Sequence, residues 1–299
     1  MDFPVYENIL KGRILPKFRK ANLKDKLSFC YSILDSCNLC ERKCGTKRLE
    51  EKGYCKVRAS MKIFGADTHM GEESEIIPSA TIFFSGCTLR CLYCQNAPES
   101  LEPEKGFEWN EEAAAKWIEK KFEEGCKNVN FVGGEPTPYI YNIIKTLSMC
   151  KRNIPVIYNS NGYYSEIAGE VLNDIVDLYL LDLKYFSNDC AKRLSDADNY
   201  TKVLARNILK ANQAGEILIR MLILPGHIEC CAKRGLEWIK SNLGNNANIN
   251  IMGQYRPCFN ATIAKELRKP LKPSEYKEVL NHAEKIGLRN FTYQSQFLN

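Results

Sequence analysis

Long apolar runs are missing from this 299-residue chain, as are sequence repeats and low-complexity tracts. No stretch reaches the roughly twenty apolar residues that a membrane-spanning helix needs, which excludes a protein built on such helices. The start, Met1-Asp2-Phe3-Pro4-Val5-Tyr6-Glu7, lacks the basic and apolar regions of a secretory signal. Histidine is scarce, limited to His69, His227 and His282. Neither sign of charge dominates locally, because the net charge of +6 is spread over the chain. The densest basic segment, Lys11 to Lys20 with Lys24 and Lys26 beyond, reads as a solvated face, with contact to RNA or an acidic partner as the alternative. Cysteine, by contrast, is abundant at fourteen residues. Cysteines in metal-type spacing without a signal peptide point to a reducing cytosol rather than to disulfides, so a cytoplasmic protein is expected. At 44% hydrophobic content the chain can bury one substantial domain and a small appendage.

The most informative segment is Ser85-Gly86-Cys87-Thr88-Leu89-Arg90-Cys91-Leu92-Tyr93-Cys94. It follows Ala80-Thr81-Ile82-Phe83-Phe84, an apolar run that predicts a strand. A cubane iron–sulfur cluster normally takes four cysteines, so three thiolates on one loop leave an iron free for another ligand. A three-cysteine zinc site completed by histidine or water is the other reading of the same residues. About forty residues later, Asn130-Phe131-Val132 predicts a second strand, ending in Gly133-Gly134-Glu135-Pro136-Thr137. Paired glycines there let backbone approach a ligand closely. Two more strands, Pro155 to Tyr158 and Val176 to Leu181, lead into Asn159-Ser160-Asn161-Gly162 and Asp182-Leu183-Lys184. Glu216 to Leu224 is a further apolar run, broken only by Arg220, a cation that needs a partner when buried.

Cys-x3-Cys-x2-Cys with an aromatic before the last cysteine resembles the cluster signature of the radical SAM superfamily. The resemblance implies that Cys87, Cys91 and Cys94 hold a [4Fe–4S] cluster whose open iron chelates S-adenosylmethionine (SAM). It implies reductive cleavage of SAM to a hydrogen-abstracting 5′-deoxyadenosyl radical, with a low-potential donor such as flavodoxin or ferredoxin. The backbone near Tyr93 would approach the adenine, and Gly133, Gly134 and Glu135 would bind the SAM amino group. By similarity to activating enzymes of glycyl radical proteins, Asn159 would face the ribose. Ser160 and Lys184 would face the methionine carboxylate, Asp182 the amino group, and Arg220 a carboxylate or peptide oxygen near the substrate. A solvated strand end is the plain alternative for Asp182 and Lys184, and a structural ion pair for Arg220. His227, beside a Pro-Gly turn, is either a loop residue or part of the lining. The whole layout resembles the pyruvate formate-lyase activating enzyme-like (PflX) family, whose substrate is not fixed: protein, RNA or small molecule. One departure stands out. Activating enzymes carry Tyr-His after the last of these strands, whereas here Ile249 to Gln254 runs into Tyr255-Arg256-Pro257.

Short apolar runs alternate with amphipathic stretches such as 111–118, 140–147 and 235–240 from residue 79 onward. Six such units and a last strand at 290–294 predict an α/β fold, a partial (β/α)6 TIM-like barrel spanning 76–299. Residues 1–75 form a separate cysteine-rich region, joined near Met70 to Glu75. Cys37, Cys40, Cys44 and Cys55 there make a four-ligand set, for either structural zinc or an auxiliary iron–sulfur cluster. Of the remaining cysteines most pack as small hydrophobes, with the Cys230-Cys231 pair and Cys258 as candidates to approach the active face.

Overall fold

The computed structural model describes residues 1–298. Two helices, α1 (Pro4–Leu10) and α2 (Leu23–Ile33), precede strands β1 (Lys62–His69), β2 (Ser79–Phe84) and β3 (Phe107–Glu108). Helix and strand then alternate as α3 (Glu111–Glu123), β4 (Val129–Gly133), α4 (Ile140–Met149), β5 (Val156–Ser160), α5 (Glu166–Asn173) and β6 (Leu178–Asp182). Two helices follow, α6 (Asn188–Ser195) and α7 (Tyr200–Ala214), and then β7 (Glu216–Leu222), α8 (Arg234–Leu243), β8 (Ile249–Met252), α9 (Pro273–Lys285) and β9 (Phe291–Tyr293).

The strands form one sheet in the order β3-β1-β2-β4-β5-β6-β7-β8-β9. From β2 to β9 every neighbouring pair is parallel, while β1 runs antiparallel to both β2 and β3. The two ends of this order do not pair, so the parallel strands make the partial barrel that the alternating pattern predicts. Strand β1 lies before residue 75, yet it is hydrogen-bonded into this sheet. No described helix is long and apolar enough to cross a membrane.

Parallel strands covered on both faces need apolar residues in both registers, and β6, Leu-Tyr-Leu-Leu-Asp, supplies them. Tyr179 and Leu181 join the large core under the helices. Leu178 and Leu180 turn the other way and meet Ile157, Leu218, Phe3 and Tyr6 in a smaller cluster. Each buried leucine there contributes about 1.5–3 kcal/mol. Helix α1 thus closes the end of the barrel where the strands begin. Its first-turn amides on Val5 and Tyr6 donate to the Glu216 carboxylate at 2.7 and 2.8 Å, which satisfies N–H groups that a helix start leaves orphaned. The basic segment expected at the surface is partly tied down at this end. Lys17 Nζ donates to the carbonyls of Asn173 and Ala214, the last residues of α5 and α7, where a cation suits the helix dipole. With that end closed, the strand C-termini remain for a ligand, as in other parallel barrels.

Candidate functional site

Strand β2 delivers the cysteine loop to this open end. Gly86 turns the chain at φ +83, and a β-carbon there would sit 2.7 Å from the carbonyl oxygen of Cys55. Beyond the turn the loop rests on the end of α6: the amides of Arg90 and Leu92 donate to the carbonyls of Ser195 and Leu194 at 2.9 and 2.8 Å. Cys87, Cys91 and Cys94 all line a cavity of about 180 Å³. Burial pushes the Cys87 and Cys91 thiols up, and the Lys184 ammonium opposes that rise at Cys91. Donors already point at these sulfurs. Ser195 Oγ donates to Cys91 Sγ at 3.0 Å, the Leu89 amide to Cys87 Sγ at 3.4 Å, and Asn161 Nδ2 lies 3.7 Å from Cys87 Sγ. Such donors favour thiolates, the form that binds metal. Three thiolates lining one cavity, with donors aimed at them, fit a cluster that takes cysteine ligands.

Gly133 and Gly134 reach the same cavity through close packing of backbone. A β-carbon on Gly134 would lie 2.1 Å from the Gly86 carbonyl oxygen, and one on Gly133, at φ +116, 2.1 Å from the Phe84 amide nitrogen. The glycine pair thus lets the β4 loop lie directly against the cysteine loop. Glu135 goes elsewhere. Its carboxylate is 1% exposed and accepts from Thr137, from Ser160 Oγ at 2.7 Å and from the Asn161 amide at 3.0 Å. Burial raises its pKa while these bonds lower it. The side chain clasps the β4 and β5 loops together and does not line the cavity. Ser160 lines the cavity, but its hydroxyl proton is committed to Glu135. Asn159 lines it as well. Tyr93 also borders it, its ring edge-on to Tyr185 and Tyr255 and its hydroxyl accepting from Tyr185 at 2.8 Å.

Asp182, Lys184 and Arg220 meet at the ends of β6 and β7. Lys184 Nζ is 2.7 Å from Asp182 Oδ2, and Arg220 Nε is 3.5 Å from Asp182 Oδ1. Burial alone would favour the neutral amine, but the Asp182 charge and then Cys91 hold Lys184 above the usual lysine value. The solvated-strand-end reading of this pair therefore fails, since both line a cavity. Arg220 has a second carboxylate that the sequence reading missed. Glu73, in the stretch expected to be a linker, is 3% exposed. Its Oε1 lies 3.5 Å from Arg220 Nε and accepts from Asn250 at 3.0 Å. Arg220 Nε is thus buried between two carboxylates at ion-pair distance, without a hydrogen bond to either. Nothing in Gly71-Glu72-Glu73-Ser74 marks one glutamate as interior. Asn161, beside Cys87, was also missed. His227 does not line this cavity; it borders a smaller adjoining cleft with Cys231. Where a Tyr-His was absent, Gln254 reaches the cavity and donates to Glu72 at 2.8 Å.

The four amino-terminal cysteines come together beside the cysteine loop. Cys37, Cys40 and Cys55 are buried and Cys44 is exposed, and the charges of all three others bear on Cys40. Tyr54, next to Cys55, lies between the guanidinium groups of Arg42 and Arg90, at 3.8 and 4.2 Å. Arg90 in turn donates to the carbonyl of Cys87. Arg48 is wholly buried. It donates to the carbonyls of Pro138 and Arg58, while its Nε has no partner among the described residues. A buried cation without a carboxylate is costly unless a negative charge stands nearby.

The model of the radical SAM superfamily matches residues 81–239. An uncharacterized protein of Methanocaldococcus jannaschii, MJ0674, is 38% identical over 280 residues, 91% of this chain and 81% of its own length. The pyruvate formate-lyase-activating enzyme of Clostridium pasteurianum is 31% identical over 48% of this chain, and the matched part spans 61% of that enzyme. Among solved structures, Streptococcus suis SuiB bound to its precursor peptide SuiA superposes with a TM-score of 0.53. That match covers 70% of this chain and 46% of SuiB at 15% identity, so it bears on the fold alone. The chain belongs to the radical SAM superfamily and is distantly homologous to pyruvate formate-lyase activating enzymes.

Proposed function

We propose that this protein reductively cleaves SAM at Cys87, Cys91 and Cys94 and uses the product to abstract hydrogen from a substrate in the manner of a glycyl-radical activating enzyme. The observation that carries this reading is the shared cavity: three sulfurs, an acid–lysine pair and Arg220 line one space at the strand C-termini. When bound, a [4Fe–4S] cluster supplies the electron and SAM the hydrogen-abstracting group. The chain's own part is to hold and orient. Lys184, kept cationic by Asp182, suits the methionine carboxylate of SAM, and Asp182 suits its ammonium. Arg220, which lines the same cavity, then serves a second anion or a peptide oxygen. On this reading Gly133 and Gly134 offer backbone acceptors, and Asn159 faces the ribose.

Lys184→Met removes the cation and keeps the stem. SAM affinity by equilibrium dialysis should fall about 10- to 100-fold, the worth of a hydrogen bond to a charged group. Unchanged affinity would remove Lys184 from the SAM site.

The amino-terminal four-cysteine set is read as an auxiliary [4Fe–4S] cluster. The buried Arg48 guanidinium bears on Cys37 and suits an anionic thiolate cluster. Exposed Cys44 suits an approach by a low-potential donor such as flavodoxin or ferredoxin, consistent with a cytoplasmic enzyme. Cys40→Ser should hold about half the iron of the parent chain after reconstitution; equal iron would show that these cysteines hold no cluster.

Similarity to the Clostridium enzyme favours a protein substrate. The replacement of Tyr-His by Gln254-Tyr255 leaves a peptide, RNA or small metabolite as the second reading.

A further inference from the structure

Away from the SAM cavity, four side chains converge in a way that neither the cysteine loop nor the amino-terminal set explains. Cys190 comes from α6, and His227, Cys230 and Cys231 from the segment that follows β7. Their ligand atoms all lie within 4.8 Å of one another. Cys190 Sγ is 3.7 Å from Cys230 Sγ, Cys230 Sγ is 3.6 Å from Cys231 Sγ, and Cys230 Sγ is 3.4 Å from His227 Nδ1. A tetrahedral zinc ion with Zn–S of about 2.3 Å and Zn–N of about 2.0–2.1 Å sets edges of about 3.8 Å between sulfurs and about 3.6 Å from sulfur to nitrogen. The observed separations match those edges. They are far from a disulfide bond of about 2.0 Å.

The backbone is bent to bring these ligands together. Ile228–Lys233 is a π-helical turn running directly into α8, and the Ala232 amide bonds to the carbonyl of His227, five residues back. Such turns are rare and concentrate at functional sites. Adjacent Cys230 and Cys231 thereby put both sulfurs on one side. The surroundings supply outer contacts of the kind metal ligands use. With Nδ1 directed at the sulfurs, His227 Nε2 faces Glu266 Oε1 at 3.4 Å, and Arg193 pairs with the same carboxylate.

We infer that Cys190, His227, Cys230 and Cys231 bind a structural Zn²⁺ ion in a closed Cys3His site. Binding forms three Zn–S bonds and one Zn–N bond and sends the three thiol protons to solvent, with no change of oxidation state. The ion ties helix α6 to the β7 turn, and α6 is the shelf of the cysteine loop. At its far end, Leu194 and Ser195 accept from that loop's amides and Ser195 donates to Cys91 Sγ. Zinc thus holds from a distance the sulfurs that line the SAM cavity.

The test is elemental analysis of the full chain purified anaerobically, as such and with Cys190→Ser, Cys40→Ser or Glu266→Gln. The parent chain and Cys40→Ser are expected to carry about one zinc each and Cys190→Ser none. Co²⁺ in place of zinc should give the visible bands of a tetrahedral thiolate site in the parent chain. Glu266→Gln, which leaves all four ligands in place, should retain zinc with about 10- to 100-fold weaker affinity in competition with a chromophoric chelator. It keeps the test open should Cys190→Ser fail to fold. Full zinc in Cys190→Ser would overturn the proposal. So would zinc lost from Cys40→Ser instead, or an intact mass lower by two hydrogens that maps to a disulfide at Cys230. None of these outcomes depends on SAM turnover, so the zinc site and the proposed radical chemistry stand or fall separately.

Discussion

Replacing Cys91 with alanine should abolish both cluster assembly and SAM cleavage. Three thiolates are the fewest that hold a cubane with one open iron, and removing one leaves two irons without protein ligands. Cys91 is also tied to its surroundings. Ser195 donates to it at 3.0 Å, and the Lys184 charge bears on it. Its loss leaves that donor and that cation facing an empty corner of the cavity. Iron bound after anaerobic reconstitution should fall to whatever the amino-terminal cysteines hold, and SAM cleavage should drop by at least about 10³-fold, about 4 kcal/mol of activation barrier. Cys126→Ala is the control. That thiol is buried away from the cavity, near Thr68, and its loss should cost about 1 kcal/mol of stability with cleavage retained. Cleavage surviving in Cys91→Ala would remove the cysteine loop from the chemistry.

Glu73→Ala should be strongly destabilising. The carboxylate is 3% exposed and the Arg220 side chain 17%, so both charges lie largely out of water. Removing one partner of a buried pair costs about 3–5 kcal/mol, because the other charge stays buried without compensation. Asp182 remains 3.5 Å from Arg220 Nε, which keeps the loss toward the lower figure. Asn250 also loses its acceptor. For a domain of this size the thermal midpoint should fall by roughly 2–4 °C per kcal/mol, or about 6–15 °C. Glu73→Gln keeps an oxygen for Asn250 but no charge, and it should lie between the parent chain and alanine. A midpoint lowered by less than about 2 °C would mean that Glu73 does not balance Arg220.

The sequence carried the architecture because its signals were local. Each strand of the barrel is a short apolar run followed by a turn; β4, β5 and β6 end at residues singled out for chemistry, and β7 carries Arg220 two residues before its end. Cys87, Cys91, Cys94, Asp182, Lys184 and Arg220 do line one cavity. What stayed hidden depends on contacts across the chain. Glu73 looks like any acidic residue of a polar connection until the fold carries it to Arg220, 147 positions away in the numbering. Glu135 stands in the expected motif, yet Thr137, Ser160 and Asn161 claim its oxygens first. The helix that closes the barrel base is set by Phe3 and Tyr6, two apolar residues with no periodic pattern around them. His227 and Cys230 carried a faint signal as neighbours in sequence, but Cys190 joins them only through the packing of α6 against the β7 turn.

The most direct test of the central claim is to reconstitute the full chain anaerobically with iron and sulfide, add SAM and dithionite, and measure 5′-deoxyadenosine by chromatography. The account predicts its formation in the parent chain and its absence when Cys87, Cys91 or Cys94 is replaced. A chain that assembles its clusters and binds SAM, yet forms no 5′-deoxyadenosine under these conditions, would contradict it.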